Sequence, residues 1–138
     1  MADESYSAAK AVARANQAFY RAFEALDAHL MRAVWLDAAY VKCIHPGGEM
    51  LSGPERVHAS WEAIFVNTKS IRFELLDTSI EVVGDLGCVN NVERICSADD
   101  IRDVKAEMAA TNLFVRHAGQ WKMILHHASP IARRFFNR

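Results

Sequence analysis

The 138-residue chain lacks the features that mark secreted, membrane-embedded or disulfide-stapled proteins. Its three cysteines, Cys43, Cys88 and Cys96, have unrelated spacings and form no Cys-x-x-Cys pair, which predicts free thiols in a reducing compartment. No apolar run approaches the ~20 residues of a membrane span, and the first residues lack a basic and apolar leader. These absences predict a cytoplasmic protein without a membrane partner.

The chain also has no marked excess of positive or negative side chains. Sixteen Lys and Arg residues stand against 17 Asp and Glu residues, so the net charge is −1 and nothing favours a nucleic-acid or membrane-surface partner. The sequence has no repeats or linkers, and its length suits one domain with a sizeable core. We therefore predict a single domain over residues 1–138, with residues 130–138 as a C-terminal tail.

The first half of the chain shows helical periodicity. Apolar residues at steps of three and four, without Gly or Pro, predict a helix over residues 7–26. Asp27 has the position of an N-cap for a second, shorter helix. Ser52–Gly53–Pro54–Glu55 is typical of a third helix start, because proline suits the first turn.

The second half alternates with a period of two. We predict strands over residues 71–83 and 88–97, then a hairpin from about residue 105 whose four-residue turn is 117–120. A short strand over residues 39–44 precedes the third helix and ends at a turn, His45–Pro46–Gly47–Gly48. Helices followed by a run of antiparallel strands predict an α+β fold with the helices on one face of the sheet.

The hairpin alternation predicts which side chains share a face. Pairing Arg116 with Trp121 places Asn112, Phe114 and Arg116 on the same face as His127, with His126 on the opposite face. Polar groups set among apolar ones on a shared surface are typical of a small binding cavity. A β-bulge would exchange His126 for His127.

Three motifs together point to a known superfamily: His45–Pro46–Gly47–Gly48, Gly53 to Trp61, and Thr111–Asn112 through Trp121 to Ser129. Through them the chain resembles nuclear transport factor 2-like proteins, and within them the SnoaL-like branch related to steroid isomerases. The resemblance covers residues 8–129. It implies a curved sheet forming a cone closed by the N-terminal helices, and a homodimer made by the outer face. The superfold hosts both enzymes and non-catalytic modules.

Family roles transfer only partly. The steroid-isomerase base lies five residues before the Asp–Pro turn, which gives Tyr40, a residue unable to act as a carboxylate base. The protonated acid of the oxyanion hole falls on Asn112, which can still donate a hydrogen bond. The phenol donor has no direct match, although Tyr20 is one residue away. The chain also resembles the association domain of calmodulin-dependent kinase, whose pocket arginines fall on Glu93 and Asn112.

Three residues are the candidate catalytic groups. His127 is the first, because an imidazole can serve as general base or acid, although it could equally be a structural histidine at a strand end. Glu93 lies in an apolar strand, where an inward-facing carboxyl would have a raised pKa. The alternative for Glu93 is an ion pair with Arg116 or Arg72. Asn112 would stabilise negative charge on a carbonyl oxygen.

The predicted ligand pocket combines aromatic and polar side chains around these groups. Aromatics at helical spacing also suit a core, and His45 could be a solvated turn residue, so both interpretations stay open. No metal site is predicted, because the histidines are scattered and no zinc motif occurs. The predicted pocket residues are Trp35, Tyr40, His45, Trp61, Phe65, Phe114 and Arg116.

Two function classes follow from these features. The first is a small-molecule-binding protein acting as a cofactor-independent isomerase, dehydratase or cyclase by proton transfer, with His127 or Glu93 taking the proton. The second is a non-catalytic ligand-binding or association module, in which the same polar groups orient a ligand or brace the cone. Both predict a homodimer and a small organic ligand in the pocket.

Overall fold

A computed structural model describes residues 2–132 of the chain. Three helices precede a run of long antiparallel strands, and the predicted α+β class is confirmed. The elements are α1 (Ala2–Ala25), α2 (Ala28–Val34), β1 (Lys42–Ile44), β2 (Leu51–Ser52), α3 (Pro54–Val66), β3 (Arg72–Val83), β4 (Leu86–Cys96), β5 (Val104–His117) and β6 (Gln120–Pro130).

The helix boundaries follow local chemistry. Helix α1 begins five residues earlier than predicted, and the acidic Asp3 and Glu4 in its first turn suit the positive end of the helix dipole. Asp27 is the N-cap of α2, as predicted, and accepts hydrogen bonds from the backbone N–H groups of His29 and Leu30 at 2.9 and 3.0 Å. No helix within residues 2–132 is long and apolar enough to cross a membrane.

The six strands form one curved, unclosed sheet in the order β2-β1-β6-β5-β4-β3. Strand β1 runs parallel to β6, and every other neighbouring pair is antiparallel. Register shifts interrupt each of the three long pairings, in β3 near Asp77, after Ile95 in β4, and between Leu113 and Phe114 in β5. Such bulges bend strands, and they let the sheet curve around the helices as a cone.

The β5–β6 bulge corrects the predicted facing of the last strand. Arg116 pairs with Trp121, as predicted, and Phe114 pairs with Met123. Leu113 then pairs with Leu125, so Ile124 is an extra residue that shifts the alternation by one. Beyond it, Asn112 lies opposite His126, so it shares its face with His126 and not, as predicted, with His127.

Helix α1 lies against the concave face of the sheet, and the core forms between them. Phe19 of α1 packs edge-on against Trp61 of α3 with ring centroids 5.6 Å apart, and both side chains are fully buried. Phe114 of β5 joins the same core. Of the predicted tail, residue 130 ends β6, and residues 133–138 lie outside the described part.

Candidate functional site

Six polar side chains are buried together between α1 and the concave face of the sheet, each no more than 4% exposed. Hydrogen bonds connect them continuously from one end to the other. We call this group the buried polar network, and its members are Asn16, Tyr20, Asn91, Glu93, Asn112 and His126.

Tyr20 and Glu93 form one end of the network. The Tyr20 hydroxyl donates to Glu93 Oε2 at 2.6 Å, the short distance of a charge-assisted bond. Tyr20 is the one hydrogen-bond donor that the described residues bring to this carboxylate. The sequence alternative of an ion pair between Glu93 and an arginine is wrong, because Arg116 pairs with Asp85 and no salt bridge within residues 2–132 includes Glu93.

Three amides hold the Tyr20 hydroxyl from the other side. Asn91 and Asn112 each donate an Nδ2 hydrogen to the phenol oxygen, at 3.0 and 3.2 Å. Asn16 links the two amides, because its Nδ2 donates to Asn91 Oδ1 while its Oδ1 accepts from Asn112 Nδ2. Both N–H groups of Asn112 are therefore committed inside the network, which leaves neither for the predicted contact with a substrate oxygen.

His126 forms the opposite end of the network and is 1% exposed. Its Nδ1 lies 2.6 Å from Asn112 Oδ1, which is an acceptor because the Asn112 nitrogen donates elsewhere. Nδ1 must therefore carry the proton, and Nε2 presents a lone pair. Burial and the nearby His45 and His127 lower the pKa of His126 to about 3.

This geometry fixes an observable tautomer. We expect His126 to stay neutral, with its proton on Nδ1, throughout the range from pH 5 to 8. Long-range ¹H–¹⁵N spectra of histidine-labelled protein measure this, with His126→Asn for assignment. A protonated imidazolium at pH 5 would contradict the lowered pKa of His126, and an Nε2–H tautomer would contradict the direction of its hydrogen bond to Asn112.

Burial raises the pKa values of both Tyr20 and Glu93. Desolvation raises the pKa of Glu93 from 4.5 to about 7, although the hydrogen bond from Tyr20 partly opposes the rise. Burial and the charge of Glu93 raise the pKa of Tyr20 far above 10, so the phenol keeps its proton. Glu93 is thus a carboxyl that exchanges between its acid and base forms near neutral pH.

An apolar strip of sheet leads away from Glu93. Its cross-strand neighbours are Leu75 on β3 and Met108 on β5, and residues directly opposite in antiparallel strands share a face. Both side chains are only partly buried, as are Ile95 and Ala106, the next pair along this face. Glu93 itself is 2% exposed, so it lies where the closed interior meets a partly open apolar surface.

Three predicted site residues lie elsewhere. His127 is exposed on the outer face, because the bulge at Ile124 inverts the facing that alternation predicts. Tyr40 is 55% exposed in the turn before β1. Arg116 makes a two-nitrogen ion pair with Asp85 at the surface and lines a separate cavity of about 720 Å³ beside the first turn of α1.

The predicted aromatic residues are buried with the core. Trp35, Trp61, Phe65 and Phe114 belong to one cluster of buried side chains. The indole N–H groups of Trp35 and Trp61 have no hydrogen-bond partner within the described residues. These side chains shape the interior next to the buried polar network.

His45 lies half-buried at the end of β1, beside Trp61. Its ring packs edge-on to the Trp61 ring with centroids 4.7 Å apart, and its Nε2 lies 2.9 Å from Ser60 Oγ. Ser60 donates to the backbone oxygen of Val57, so its oxygen is free to accept from His45. Burial lowers the pKa of His45.

No cluster of three or more His, Cys, Asp or Glu side chains within residues 2–132 has the geometry to hold a metal ion. The thiol of Cys43 is buried, and desolvation raises its pKa to about 12, so it stays protonated. Glu93 and the two histidines beside Trp61, His45 and His126, are therefore the ionisable groups inside the cone on which a proton-transfer role can be argued.

The sequence hypothesis omitted half of the buried polar network. Asn16 is one helical turn after Val12 and one before Phe19, so it lies on the apolar face of the helix. An amide at such a position indicates a buried polar group. Asn91 lies two residues from Glu93 on the same strand face. Tyr20 was noted only as a near match to a family phenol, because nothing local shows that its hydroxyl meets Glu93, 73 residues away.

Comparison with known families and structures gives consistent matches. The model of the SnoaL-like domain family matches residues 12–133. A crystal structure of a proposed dehydratase of the NTF2-like family from Streptomyces avermitilis is 36% identical. The match covers 91% of this chain and 96% of that one, with a TM-score of 0.82.

Two further relatives have names that indicate roles other than that of a dehydratase. A proposed calcium/calmodulin-dependent protein kinase type II association domain from Thiobacillus denitrificans is 34% identical over 85% of this chain and 92% of its own, with a TM-score of 0.79. The F-box protein SKIP8 of Arabidopsis thaliana is 29% identical over 126 residues, 91% of this chain and 52% of the relative. The chain thus spans about half the length of that curated relative.

Proposed function

The chain belongs to the SnoaL-like family, and we propose that it binds a small organic molecule in the cone and transfers a proton without a cofactor. Glu93 is the proposed acid–base group, and the reaction class is isomerisation, dehydration or cyclisation. The observation that carries the proposal is the short Tyr20–Glu93 hydrogen bond at the inner end of the apolar strip.

The carboxyl has the properties that proton transfer needs. A general base works best when its pKa is close to the working pH, and burial brings the pKa of Glu93 to about 7. Tyr20 donates to Oε2, which fixes the carboxylate plane and leaves Oε1 for a substrate C–H or O–H. Leu75, Met108 and Ile95 then supply apolar contact for the ligand body.

The rest of the network positions Tyr20. Asn91 and Asn112 donate to the phenol oxygen, so its own hydrogen points to Glu93. His126 holds Asn112 through Oδ1, and no hydrogen bond within residues 2–132 joins it to Glu93. In this arrangement Asn112 and His126 are positioning residues, which revises the oxyanion role that the sequence suggested for Asn112.

Exchange of carbon-bound hydrogen in D₂O tests this proposal without knowledge of the product. Neutral carbonyl compounds are incubated with the protein, and deuterium uptake next to the carbonyl is measured by mass spectrometry. Because a general base contributes about 100-fold or more, Glu93→Gln should lower the exchange rate by at least that factor. Glu81→Gln, an exposed glutamate of β3, is the matched control.

A second candidate is a non-catalytic association module that forms a homodimer. Similarity to the proposed association domain supports it, as does the outer face of β5 and β6, where Leu113 and Leu125 lie opposite each other and partly exposed. This candidate predicts no exchange with any compound, and a lower sedimentation coefficient for Leu125→Glu. Exchange that depends on Glu93 would contradict it.

A further inference from the structure

A second cavity lies on the far side of α1 from the buried polar network. Its volume is about 360 Å³, within the range of small-molecule sites, and α1, α2 and the start of β6 enclose it. Its apolar lining includes three alanines of α1, spaced by three and four residues so that they share one helix side, and three larger side chains. These residues are Ala15, Ala18, Ala22, Leu30, Val34 and Trp121.

The ionisable groups of this cavity are both cationic. Arg21 and Lys122 line it, and the lining includes no acidic side chain. Lys122 Nζ donates to the backbone oxygen of Ala33 at 2.7 Å, so the last turn of α2 holds the ammonium at the cavity. Within residues 2–132 no carboxylate lies within salt-bridge distance of Arg21, so its charge is not neutralised by the protein.

The cavity is also incompletely covered. Leu30 at its edge is 48% exposed, a large apolar side chain left in water. An apolar cavity with two cations and no anion fits a ligand that has a hydrocarbon body and a single negative charge. A guanidinium and an ammonium both bind a carboxylate by charge-assisted hydrogen bonds.

We propose that the cavity between α1, α2 and β6 binds a small amphipathic carboxylate. Its hydrocarbon chain packs on the alanines of α1 and on Trp121, and its carboxylate contacts Arg21 and Lys122. This site is separate from Glu93, because α1 lies between them, with Tyr20 directed to Glu93 and Arg21 directed to the cavity. Binding here does not depend on the proton-transfer proposal.

Octanoate, below its micelle-forming concentration, is the probe. Trp121 lines both this cavity and the one beside the first turn of α1, so its indole N–H resonance detects binding and the lining variants locate it. Trp121→Phe assigns the resonance, and Trp35 and Trp61 are buried internal references. We expect saturable shifts with octanoate and much weaker binding of octan-1-ol and octylamine. Arg21→Ala should weaken octanoate binding about tenfold, equivalent to about 1.4 kcal/mol.

Two variants complete the test. Ala18→Leu fills an exposed position of the cavity lining and should abolish binding, whereas Arg14→Ala, an exposed arginine of α1 outside the lining, should leave it unchanged. Octylamine binding as tightly as octanoate, or equal affinity of the Arg21→Ala protein, would overturn the proposal. Absence of saturable shifts would also overturn it.

Discussion

Asn112→Ala is expected to destabilise the protein by about 3 kcal/mol. The change leaves Asn16 Oδ1 and the His126 Nδ1–H without partners in the core, and each buried orphan costs about 1–3 kcal/mol. It also removes one of the two donors to the Tyr20 hydroxyl. The free energy of unfolding from urea denaturation measures the loss.

A matched asparagine on the other face of the sheet gives the control. Asn90 donates to Thr111 Oγ1 at 2.8 Å in an exposed position, so Asn90→Ala should change stability by less than about 0.5 kcal/mol. The double variant Asn16→Ala/Asn112→Ala should lose less stability than the sum of the losses of the two single variants. Each single variant leaves the other asparagine without its hydrogen-bond partner, and the double variant removes both groups. Equal costs for Asn90→Ala and Asn112→Ala would show that the network does not stabilise the core.

Glu93→Gln is expected to change the pH dependence of stability. The folded pKa of Glu93, about 7, is above its ordinary value of 4.5, so the folded protein holds an extra proton between these pH values. The contribution is fully present below about pH 4.5 and is lost as the pH rises through about 7. Its total is on the order of 3 kcal/mol, from about 1.36 kcal/mol per pKa unit.

His126 acts in the opposite direction over much of this range. Its pKa is lowered from 6.5 to about 3, so its contribution is present above about pH 6.5 and is lost as the pH falls towards 3. The wild-type curve therefore combines two opposing slopes. Subtracting the unfolding free energies of Glu93→Gln from those of the wild type, between pH 5 and 8, isolates the Glu93 slope. A flat difference would contradict the raised pKa.

The fold could be predicted because its patterns are local. Helical spacing in α1, the Asp27 cap and the period of two in β3 to β6 each depend on a few neighbouring residues. The hairpin register was correct near its turn, at Arg116 and Trp121, because turn length sets it there. Alternation failed past bulges, at Ile124 in β6 and near Asp77 in β3, since no local feature of the sequence marks a bulge.

The site was predicted in part for the same reason. Strand alternation was sufficient to expect Glu93 and Asn112 inside the cone, and both are buried. Tyr20 and Asn16 reach them across 73 and 96 residues of chain, which no periodicity encodes. Tyr40 was placed by counting from a family motif, and the turn before β1 carries it to the surface instead.

The carboxyl of Glu93 offers the most direct test of the account. The ¹³Cδ resonance of glutamate-labelled protein, assigned with Glu93→Gln, reports its ionisation state at each pH. The structure predicts a midpoint near 7, and Tyr20→Phe should raise it further, because the bond from Tyr20 lowers the pKa. A midpoint near 4.5 is that of a solvent-exposed carboxyl. It would contradict the assignment of Glu93 as the acid–base group.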